Sequence, residues 1–555
     1  MALEYLMLLT DSIIIGNIFG EQAIAASNLV NPIFSVAVFV STLISIGTSV
    51  SYSFEMGKFQ KEEADRLFGQ GVILAVGAGI VLFALAFFGK NLYFRFMAPS
   101  EIVEGYARDY YLAYQFVMLL YPIYALLIDM VYSDGDELVC NISYAVQVFV
   151  NIPLSIFLCK RIGIVGASTG TLVGTTLSIM VLLSHFFRKQ NSLRFVPGVR
   201  VKAVIRVVKY SVIDASLYLF VGLTFCIATK YVIAHFGDYY LPVMSVVISV
   251  IELTVVFDGI GQAITPLLNV YRGENNQTGI RKVMRVAFRS AVAEGLAATV
   301  LLFVFGGFLA NVFGITDPVL LAQCQTAARL ICLSMTVTAI LFLFTTYYLL
   351  IDRILLSLLI CGMKDCLSMI LLMFVFGALF GINGVWLGFC IAPVLSLGVS
   401  ALLIRLFYGK QKFPLLLEQE ETVTASFDLY LEEQAIVDTR DQVEQLLKEH
   451  QICQSTILQC MLLVEELGML IKERNPKKKI LAECTVMISD SVQIIFRDDG
   501  ILFDITDADG PVSSLRSYVV ATMMEFYSHK SHLVTTSFNR NMFRFPKQEE
   551  GITEF

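Results

Sequence analysis

The stretch Gly163-Ile-Val-Gly166-Ala-Ser-Thr-Gly170 is matched later in the chain by Gly381-Ile-Asn-Gly384-Val-Trp-Leu-Gly388. The match continues past both stretches, because Ser178 and Ser396 stand at equivalent distances beyond them. Both stretches open long apolar runs, so they mark the starts of two corresponding helices. This correspondence predicts that the chain contains an internal repeat.

Two pairs of glycines extend the repeat toward the start of each half. They keep the same order and nearly the same spacing: Gly20 with Gly237, and Gly57 with Gly273. Each match is weak alone, since glycine is common in membrane helices. Together they predict two six-helix halves in the same orientation, residues 1–190 and 191–408. Such halves place a transport site at their interface near the midplane, with rocking of one half against the other as the mechanism of alternating access.

The composition predicts a membrane protein that is mostly α-helical. The chain has 555 residues, of which 56% are hydrophobic and only 16% are charged, and its mean hydropathy is +0.72. Several apolar runs reach the roughly 20 residues that a helix needs to cross a bilayer. They are continuous rather than alternating, which argues against a β-barrel. We expect about 12 transmembrane helices before residue 409, in contact with lipid, and no nucleic-acid partner.

Basic residues predict the orientation of these helices. They are concentrated in the loops that follow even-numbered crossings, where the chain carries Lys58, Lys61, Arg66, Arg188, Lys189, Arg194, Arg200, Lys202, Arg206, Arg272, Arg281, Lys282 and Arg285. Loops with this excess of lysine and arginine stay in the cytosol. We therefore predict a multi-pass protein of the plasma (inner) membrane with both termini cytosolic.

The placement of the cysteines and the lack of a nucleotide-binding motif limit the chemistry expected of this chain. The 11 cysteines are scattered, with no C-x-x-C pair and no Cys/His cluster, so we predict no metal site, no disulfide framework and no bound cofactor. The chain has no nucleotide-binding P-loop, so ATP is not expected to drive transport directly. We predict a secondary transporter rather than an enzyme.

The opening of the chain resembles the MATE (multidrug and toxic compound extrusion) transporters. The residues that carry the likeness are Asp11-Ser-Ile-Ile-Ile-Gly16-Asn-Ile-Phe-Gly20 with Gln22-Ala-Ile-Ala-Ala, the later Phe236-Gly237-Asp238, Asn151, and Gly163-Ile-Val-Gly166-Ala. The resemblance covers about residues 1–408. It implies a cation-coupled exporter of amphipathic, often cationic, organic compounds.

The predicted ion-coupling residues are Asp11, Asn151 and Thr171. A charge in hydrocarbon is costly unless it faces a cavity or a partner, so Asp11 is the best candidate to exchange a proton or hold Na⁺. Asn151 and Thr171 would supply neutral oxygens beside it. The alternative is that Asp11 is merely hydrated near a helix end, because it lies ten residues after Met1 and the first span looks truncated. A missed upstream start is one explanation of that short span.

Two departures leave the choice between H⁺ and Na⁺ open. In one branch of the family an acid follows the matched Asn by one turn, and here Ser155 stands there. The other branch relies on an acid deep in the seventh helix, whereas Asp214 lies near the start of that span. Four further acids are candidates to face the central cavity and attract a cationic substrate, or to pair with a neighbouring basic residue: Asp129, Glu252, Asp258 and Glu294.

The chain changes character after residue 408. Residues 409–421 contain Pro414 and a run of acids and are predicted to be a linker, and residues 422–547 have no spanning run. The pattern there predicts a small α+β cytosolic domain. Its expected elements are strands at 423–431, 480–488, 491–497 and 532–545, and helices at 434–449, 455–474 and 513–528.

This domain resembles the histidine-kinase-type ATPase domain of anti-sigma-factor serine kinases. The residues concerned are Glu465-Glu466-Leu-Gly-Met-Leu470 on a helix and Arg497-Asp498-Asp499-Gly500 after a strand. The resemblance implies that Glu466 is the base, that Asp498 contacts adenine and that Gly500 makes the turn. Leu470, however, stands where the family has a Mg²⁺-binding Asn, and Gly510 is the one glycine where a glycine-rich loop is expected. We therefore expect a degenerate domain that binds a regulatory partner or senses a ligand.

These observations favour a secondary antiporter, driven by H⁺ or Na⁺, that exports amphipathic organic compounds and carries a regulatory C-terminal domain. One alternative is a flippase for lipid-linked precursors from the same superfamily, although such proteins tend to have more basic cavities. Another is a membrane-anchored sensor or signalling protein that acts through its C-terminal domain.

Overall fold

The computed structural model describes residues 2–57, 60–188, 191–273, 276–410, 412–417, 423–476, 478–501, 520, 522, 527–533 and 538–547. The chain divides into two compact units. The first contains residues 1–261 and 288–404, and the second contains residues 262–287 and 405–555. The segment 262–287, which the sequence places among the membrane helices, thus belongs with the C-terminal part of the chain.

The helices before residue 409 lie on either side of residue 190, the predicted boundary between the two halves; the division into two halves stays a prediction. The first group is α1 (Ala2–Phe19), α2 (Glu21–Asn28), α3 (Asn31–Gly57), α4 (Lys61–Met97), α5 (Glu101–Ser133), α6 (Glu137–Ile162) and α7 (Val165–Leu183). The second group is α8 (Val201–Phe236), α9 (Leu241–Leu253), α10 (Asp258–Gly273), α11 (Gln277–Val312), α12 (Pro318–Cys332), α13 (Met335–Leu350), α14 (Ile354–Gly362), α15 (Ser368–Phe380) and α16 (Ile382–Tyr408). A π-helical turn at Met363–Leu367 joins α14 to α15.

The predicted number of membrane helices is confirmed. Within the described ranges, 11 helices are long and apolar enough to cross a membrane, or 12 if the bent pair α12 and α13 forms one span. One of the 11 is α18 (Gln454–Arg474), which packs in the core of the second unit. Helix α1 covers the first predicted span but is not one of the 11. The fold is a multi-pass membrane bundle with a small additional unit.

The internal repeat is visible in the backbone. Gly163 ends α6 with φ 75° and ψ −160°, and its counterpart Gly381 ends α15 with φ 63° and ψ −147°. Residues other than glycine rarely adopt this backbone conformation. Both glycines therefore make the same sharp turn into the last helix of their half.

Close helix packing follows each of these turns. A Cβ atom added at Gly166 of α7 would lie 2.3 Å from the backbone nitrogen of Cys159 in α6. A Cβ atom added at Gly384 of α16 would lie 1.8 Å from the backbone oxygen of Phe376 in α15. Small residues allow such close approach where packing, rather than exclusion of water, holds helices together. The matching glycines of the sequence repeat thus mark matching helix contacts.

A buried histidine joins the ends of α5, α6 and α7. His185 is 0% exposed, and its Nδ1 and Nε2 each lie 2.8 Å from a carboxylate oxygen, of Asp136 and Asp134 respectively. The backbone nitrogen of Ser192 donates to Asp134 at 2.9 Å, and Arg188 donates to Asp136 at 3.2 Å. The ring therefore bridges the two buried carboxylates through both of its nitrogens. The cluster therefore ties the segment after α7 to the first six-helix half.

We predict that His185→Leu lowers the stability of the first unit by about 3–5 kcal/mol, because it leaves two buried carboxylates without their shared partner. The midpoint of thermal unfolding in detergent measures the loss. His235→Leu is the matched control, because His235 is exposed and should change stability by no more than about 0.5 kcal/mol. Equal midpoints for both variants would contradict the role given to His185.

The second unit contains a five-stranded antiparallel sheet. Its strands are β1 (Val423–Tyr430), β2 (Leu481–Ile488), β3 (Ser491–Asp498), β4 (Tyr527–Leu533) and β5 (Phe538–Pro546), in the order β1-β2-β3-β5-β4. Helices α17 (Glu433–Glu449) and α18 share one apolar core with the sheet, as Ile436, Leu463 and Phe496 illustrate. The single strand predicted over residues 532–545 is wrong, because β4 and β5 occupy that region as a pair of strands. The helix predicted at 513–528 lies largely outside the described residues.

Candidate functional site

A chain of hydrogen bonds surrounds Asp11 on α1. The Thr171 hydroxyl donates to Asp11 Oδ2 at 2.6 Å, and Asn151 Nδ2 donates to Thr171 Oγ1 at 2.9 Å. Ser155, which stands where one branch of the family has an acid, donates to Asn151 Oδ1 at 3.2 Å. The structure thus brings Asp11, Asn151 and Thr171 together, while their role in ion coupling remains a prediction.

Asp11 is buried and has one oxygen without a partner. The residue is 1% exposed, so it is not at a hydrated helix end. Among the described residues, its Oδ1 accepts no hydrogen bond. A buried carboxylate with an unsatisfied oxygen is costly unless it gains a proton or a cation. The geometry therefore suits reversible binding of H⁺ or Na⁺ at Oδ1, with Oδ2 held by Thr171.

Small residues on α7 make this arrangement possible. A Cβ atom added at Gly170 would lie 2.1 Å from Ser155 Oγ, and one added at Gly174 would lie 3.1 Å from the backbone oxygen of Gln147. Helix α6 therefore approaches α7 closely enough for Asn151 to reach Thr171. The glycines of the repeat position the polar chain as well as the helices.

Tyrosines of α5 extend the site beyond the residues that the sequence singled out. Tyr114 is 1% exposed and interacts electrostatically with both Asp11 and Glu252, while Tyr110 interacts with Asp11. The two rings stack with centroids 5.3 Å apart. The sequence does contain a signal for this pair, because tyrosines at positions i and i+4 of a helix lie on the same face. The sequence analysis counted them only as part of the general aromatic content.

The four predicted cavity acids occupy different places. Glu252, on α9, shares Tyr114 with Asp11. Asp258, at the start of α10, accepts a hydrogen bond from Thr346 Oγ1 at 3.1 Å. Asp129 on α5 and Glu294 on α11 are half-buried. Glu252 is therefore the candidate that the structure links to the Asp11 site.

A separate cavity lies between helices of the two halves. Its volume is about 340 Å³, and its walls are mostly apolar or aromatic, with Leu82, Tyr111, Met118, Tyr218 and Leu223 among the lining residues. Lys90 also lines it, whereas the four acids do not. Its size falls within the range of small-molecule sites.

The predicted adenine contact, Asp498, lies at the end of β3 in the second unit. The residue is 0% exposed, and its Oδ1 accepts hydrogen bonds from the Gly500 backbone nitrogen at 2.9 Å and from Asn539 Nδ2 at 2.7 Å. Its Oδ2 has no partner in the described part of the chain. The structure therefore brings Asp498 and Gly500 together in a buried turn with one acceptor free.

The other predicted nucleotide residues differ in their surroundings. Glu466 is half-buried on α18, and its neighbour Glu465 pairs with Arg440 at 2.8 Å. Leu470, at the position of the family's Mg²⁺-binding Asn, is 5% exposed and offers no ligand atom. The glycine-poor segment around Gly510 lies outside the described residues.

Burial raises the pKa of Asp498, and the hydrogen bonds from Asn539 and Gly500 oppose that shift only in part. The protonated form is thus favoured in the folded unit. Stability from this group is complete below the pKa of the unfolded state, about 4, and is lost as the pH rises through the folded-state pKa.

We predict that Asp498→Asn makes the second unit less sensitive to pH above about 4, the pKa of an unfolded aspartate. Asparagine keeps an oxygen for the two donors but cannot ionise. Limited proteolysis of the full-length protein in detergent, followed through a C-terminal tag, measures opening of the unit. Asp490→Asn is the control, because Asp490 is exposed in the β2–β3 turn and should keep the wild-type slope. An unchanged slope in Asp498→Asn would contradict the prediction.

Comparisons with known proteins agree with this architecture. The family model MatE matches residues 1–157, and the comparison with curated proteins gave no match. An inward-facing multidrug resistance MATE family transporter of the MOP superfamily is 18% identical, with a TM-score of 0.66 and 72% of this chain and 94% of that chain covered. The MATE multidrug transporter DinF-BH, solved in complex with a small molecule, is 19% identical, with a TM-score of 0.62 and coverage of 76% and 94%.

A third similar structure is a MOP superfamily transporter from Pyrococcus furiosus, whose description states that a reversed polarity of the binding pocket suggests a different function. It is 17% identical, with a TM-score of 0.59 and coverage of 73% of this chain and 92% of that chain. The chain therefore has the MATE transporter fold. Its second unit includes a small antiparallel sheet.

Proposed function

We propose that this protein is a secondary antiporter that exports amphipathic organic compounds in exchange for H⁺ or Na⁺, regulated by its C-terminal domain. The observation that carries the proposal is Asp11, a buried carboxylate with one oxygen held by Thr171 and the other without a partner among the described residues. The MATE fold, the match to residues 1–157 and the small molecule bound to DinF-BH support it.

The coupling follows from the cost of a charge in hydrocarbon. When the ion leaves, Asp11 is ionised, Thr171 stabilises Oδ2, and the unsatisfied Oδ1 attracts a cationic substrate. When H⁺ or Na⁺ binds at Oδ1, the site becomes neutral and that attraction is lost. Tyr114, which interacts electrostatically with both Asp11 and Glu252, provides an aromatic face for an organic cation. Ion entry thereby releases the substrate.

Two features bear on the alternatives. A flippase for anionic lipid-linked precursors would need basic side chains in its cavity. The buried Lys364 is neutralised by Asp365, with Nζ and Oδ1 2.5 Å apart, whereas Lys90 lines the cavity between the halves. The reversed pocket polarity described for the Pyrococcus furiosus relative is the reason that this alternative has to be tested. We place the protein in the inner membrane with both termini cytosolic because of the distribution of lysine and arginine in its loops.

We propose that the C-terminal domain regulates transport by binding a ligand or a protein partner. The Oδ2 of the buried Asp498 has no hydrogen-bond partner among the described residues, which supports a ligand that forms a hydrogen bond there. Leu470 argues against Mg²⁺-dependent catalysis. A role as a membrane-anchored sensor would require that the membrane part binds compounds without moving them.

The first experiment is efflux of a fluorescent organic cation from proteoliposomes under an imposed H⁺ or Na⁺ gradient without ATP. We expect one gradient to drive movement, and that gradient identifies the coupling ion. Movement of a labelled lipid-linked precursor in its place would favour the flippase. Binding without movement under either gradient would favour the sensor.

Substitution of Asp11 tests the coupling site. We predict that Asp11→Asn abolishes gradient-driven efflux, because the amide can neither ionise nor exchange a proton. Asp109→Asn is the matched control, since Asp109 is an exposed acid on α5. The folded state is checked by gel filtration in detergent. Retained coupling in folded Asp11→Asn protein would rule out this assignment.

Substitution of Thr171 tests the bond to Oδ2. Thr171→Val keeps the shape of the side chain but removes the donor. A hydrogen bond to a charged group contributes about 1.5–3 kcal/mol, so the apparent affinity for the coupling ion should change by about 10-fold or more. Efflux measured over a series of pH values or Na⁺ concentrations reports that change, and an unchanged dependence would exclude Thr171 from the site.

A further inference from the structure

The sheet of the second unit is covered on both faces. Helices α17 and α18 pack on one face, to which the even-numbered residues of β2 point. The odd-numbered residues of β2 and β3 form the other face, where Thr485 and Ile495 are 0% exposed. The hairpin of residues 262–287, made by the end of α10 and the start of α11, lies in the same unit and contacts this second face.

A cluster of three side chains forms the centre of the contact. Tyr271 of the hairpin donates its hydroxyl to Glu483 Oε2 at 3.0 Å, and Arg497 Nη1 donates to the same oxygen at 2.6 Å. The Arg497 guanidinium also lies 4.8 Å from the centre of the Tyr271 ring. Arg497 is 6% exposed. Removing one member of such a buried, charged cluster leaves the others without partners.

Two further bonds fix the start of α11 on β1. Lys282 forms an ion pair with Asp428, and the Thr278 hydroxyl donates to the Thr424 backbone oxygen at 3.5 Å. The hairpin is therefore attached through both of its helices, to three strands of the sheet.

The hairpin and the sheet are not closely packed over the whole of their contact. A cavity of about 440 Å³ remains between hairpin and sheet, with apolar walls from the hairpin that include Ile264, Leu267, Val283 and Val286. Tight protein interiors contain few voids larger than a water molecule. The space allows the hairpin to shift on the sheet while its polar anchors stay close.

Adjacent residues of β3 connect the two faces. Arg497 points to the hairpin, and Asp498, the next residue, points to the opposite side, because side chains alternate along a strand. Both residues are also paired with the neighbouring strand β5, Arg497 with Arg540 and Asp498 with Asn539. A change in the surroundings of Asp498 therefore acts on the strand that carries Arg497.

We propose that the second face of the sheet is the regulatory contact of this protein, through which the C-terminal domain controls transport by holding the 262–287 hairpin. The Tyr271–Glu483–Arg497 cluster and the Lys282–Asp428 pair attach the hairpin to the sheet. A ligand bound near Asp498 changes how strongly these contacts hold the hairpin. Helix α10 begins at Asp258 and helix α11 ends at Val312, so both anchored helices belong to the second half of the transporter. The inference rests on the transport activity proposed above.

A reversible cross-link tests this contact. The variant Lys282→Cys/Asp428→Cys joins hairpin and sheet by a disulfide on oxidation, and a protease site placed in the linker 411–422 shows cross-linking as fragments that stay joined on a non-reducing gel. We expect oxidation to change the initial rate of dye efflux by about fivefold or more and reduction to restore it. The matched control is Glu433→Cys/Lys472→Cys, which replaces an exposed ion pair between α17 and α18 and should leave the rate unchanged.

Charge reversal provides a second test that does not depend on cross-linking. Lys282→Asp should alter the efflux rate, and the double variant Lys282→Asp/Asp428→Lys should restore it, because the ion pair is rebuilt in reverse. Tyr271→Ala should alter the rate in the same direction as Lys282→Asp. Failure of the double variant to restore the rate, in protein that is folded, would overturn the proposal.

The outcomes separate the two proposals. If the unsubstituted protein moves no compound under either gradient, the proposed transport function fails. If it transports normally, and a complete cross-link and the single substitutions leave its rate unchanged, only the regulatory contact fails. A rate that changes equally in the Glu433→Cys/Lys472→Cys control would also overturn the contact, since any stiffening of the domain would then suffice.

Discussion

An ionisable group in hydrocarbon needs hydrogen-bond partners. Of the two carboxylate oxygens of Asp11, one accepts a hydrogen bond from Thr171. That single bond depends on much of the first half. Asn151 must lie beside Thr171, so α6 and α7 must approach closely, and Gly166, Gly170 and Gly174 leave the space for them to do so. Gly166 and Gly170 belong to the internal repeat, and their counterparts in α16 are Gly384 and Gly388. The packing rule that lets two helices touch thus also positions the polar chain around Asp11.

The second half has the helix contacts of the first but different polar residues. Its buried charges include a neighbouring Lys364–Asp365 pair at a π-helical turn, with the Lys364 ammonium 3.9 Å from the centre of the Phe342 ring. That pair is neutralised internally, whereas Asp11 has an oxygen without a hydrogen-bond partner among the described residues. The two halves therefore share their helix contacts but differ in their buried charged residues.

Local patterns in the sequence predicted the elements better than the contacts between them. Continuous apolar runs and the glycine repeat predicted the membrane helices, and the resemblance to MATE transporters placed Asp11 with Asn151. No local pattern indicated that His185 would lie between Asp134 and Asp136, because their partnership depends on where three helices end. Tyr114 looks like one of many aromatic residues in the sequence, which does not show its electrostatic interaction with Asp11. The β4–β5 pair was missed because the sequence Val534-Thr-Thr-Ser537 contains no Gly or Pro that would signal a break between two strands.

The attachment of the 262–287 hairpin to the sheet also has a consequence for biogenesis. Ribosomes make the hairpin before any strand of the sheet, and strand β3 follows only after the last membrane helix has been completed. The apolar side chains at Ile264, Leu267 and Val283 must therefore remain uncovered while the rest of the bundle is inserted. A chain released early would keep its membrane helices but expose this apolar surface, which gives quality-control proteases and chaperones a direct way to recognise transporters that lack their final domain.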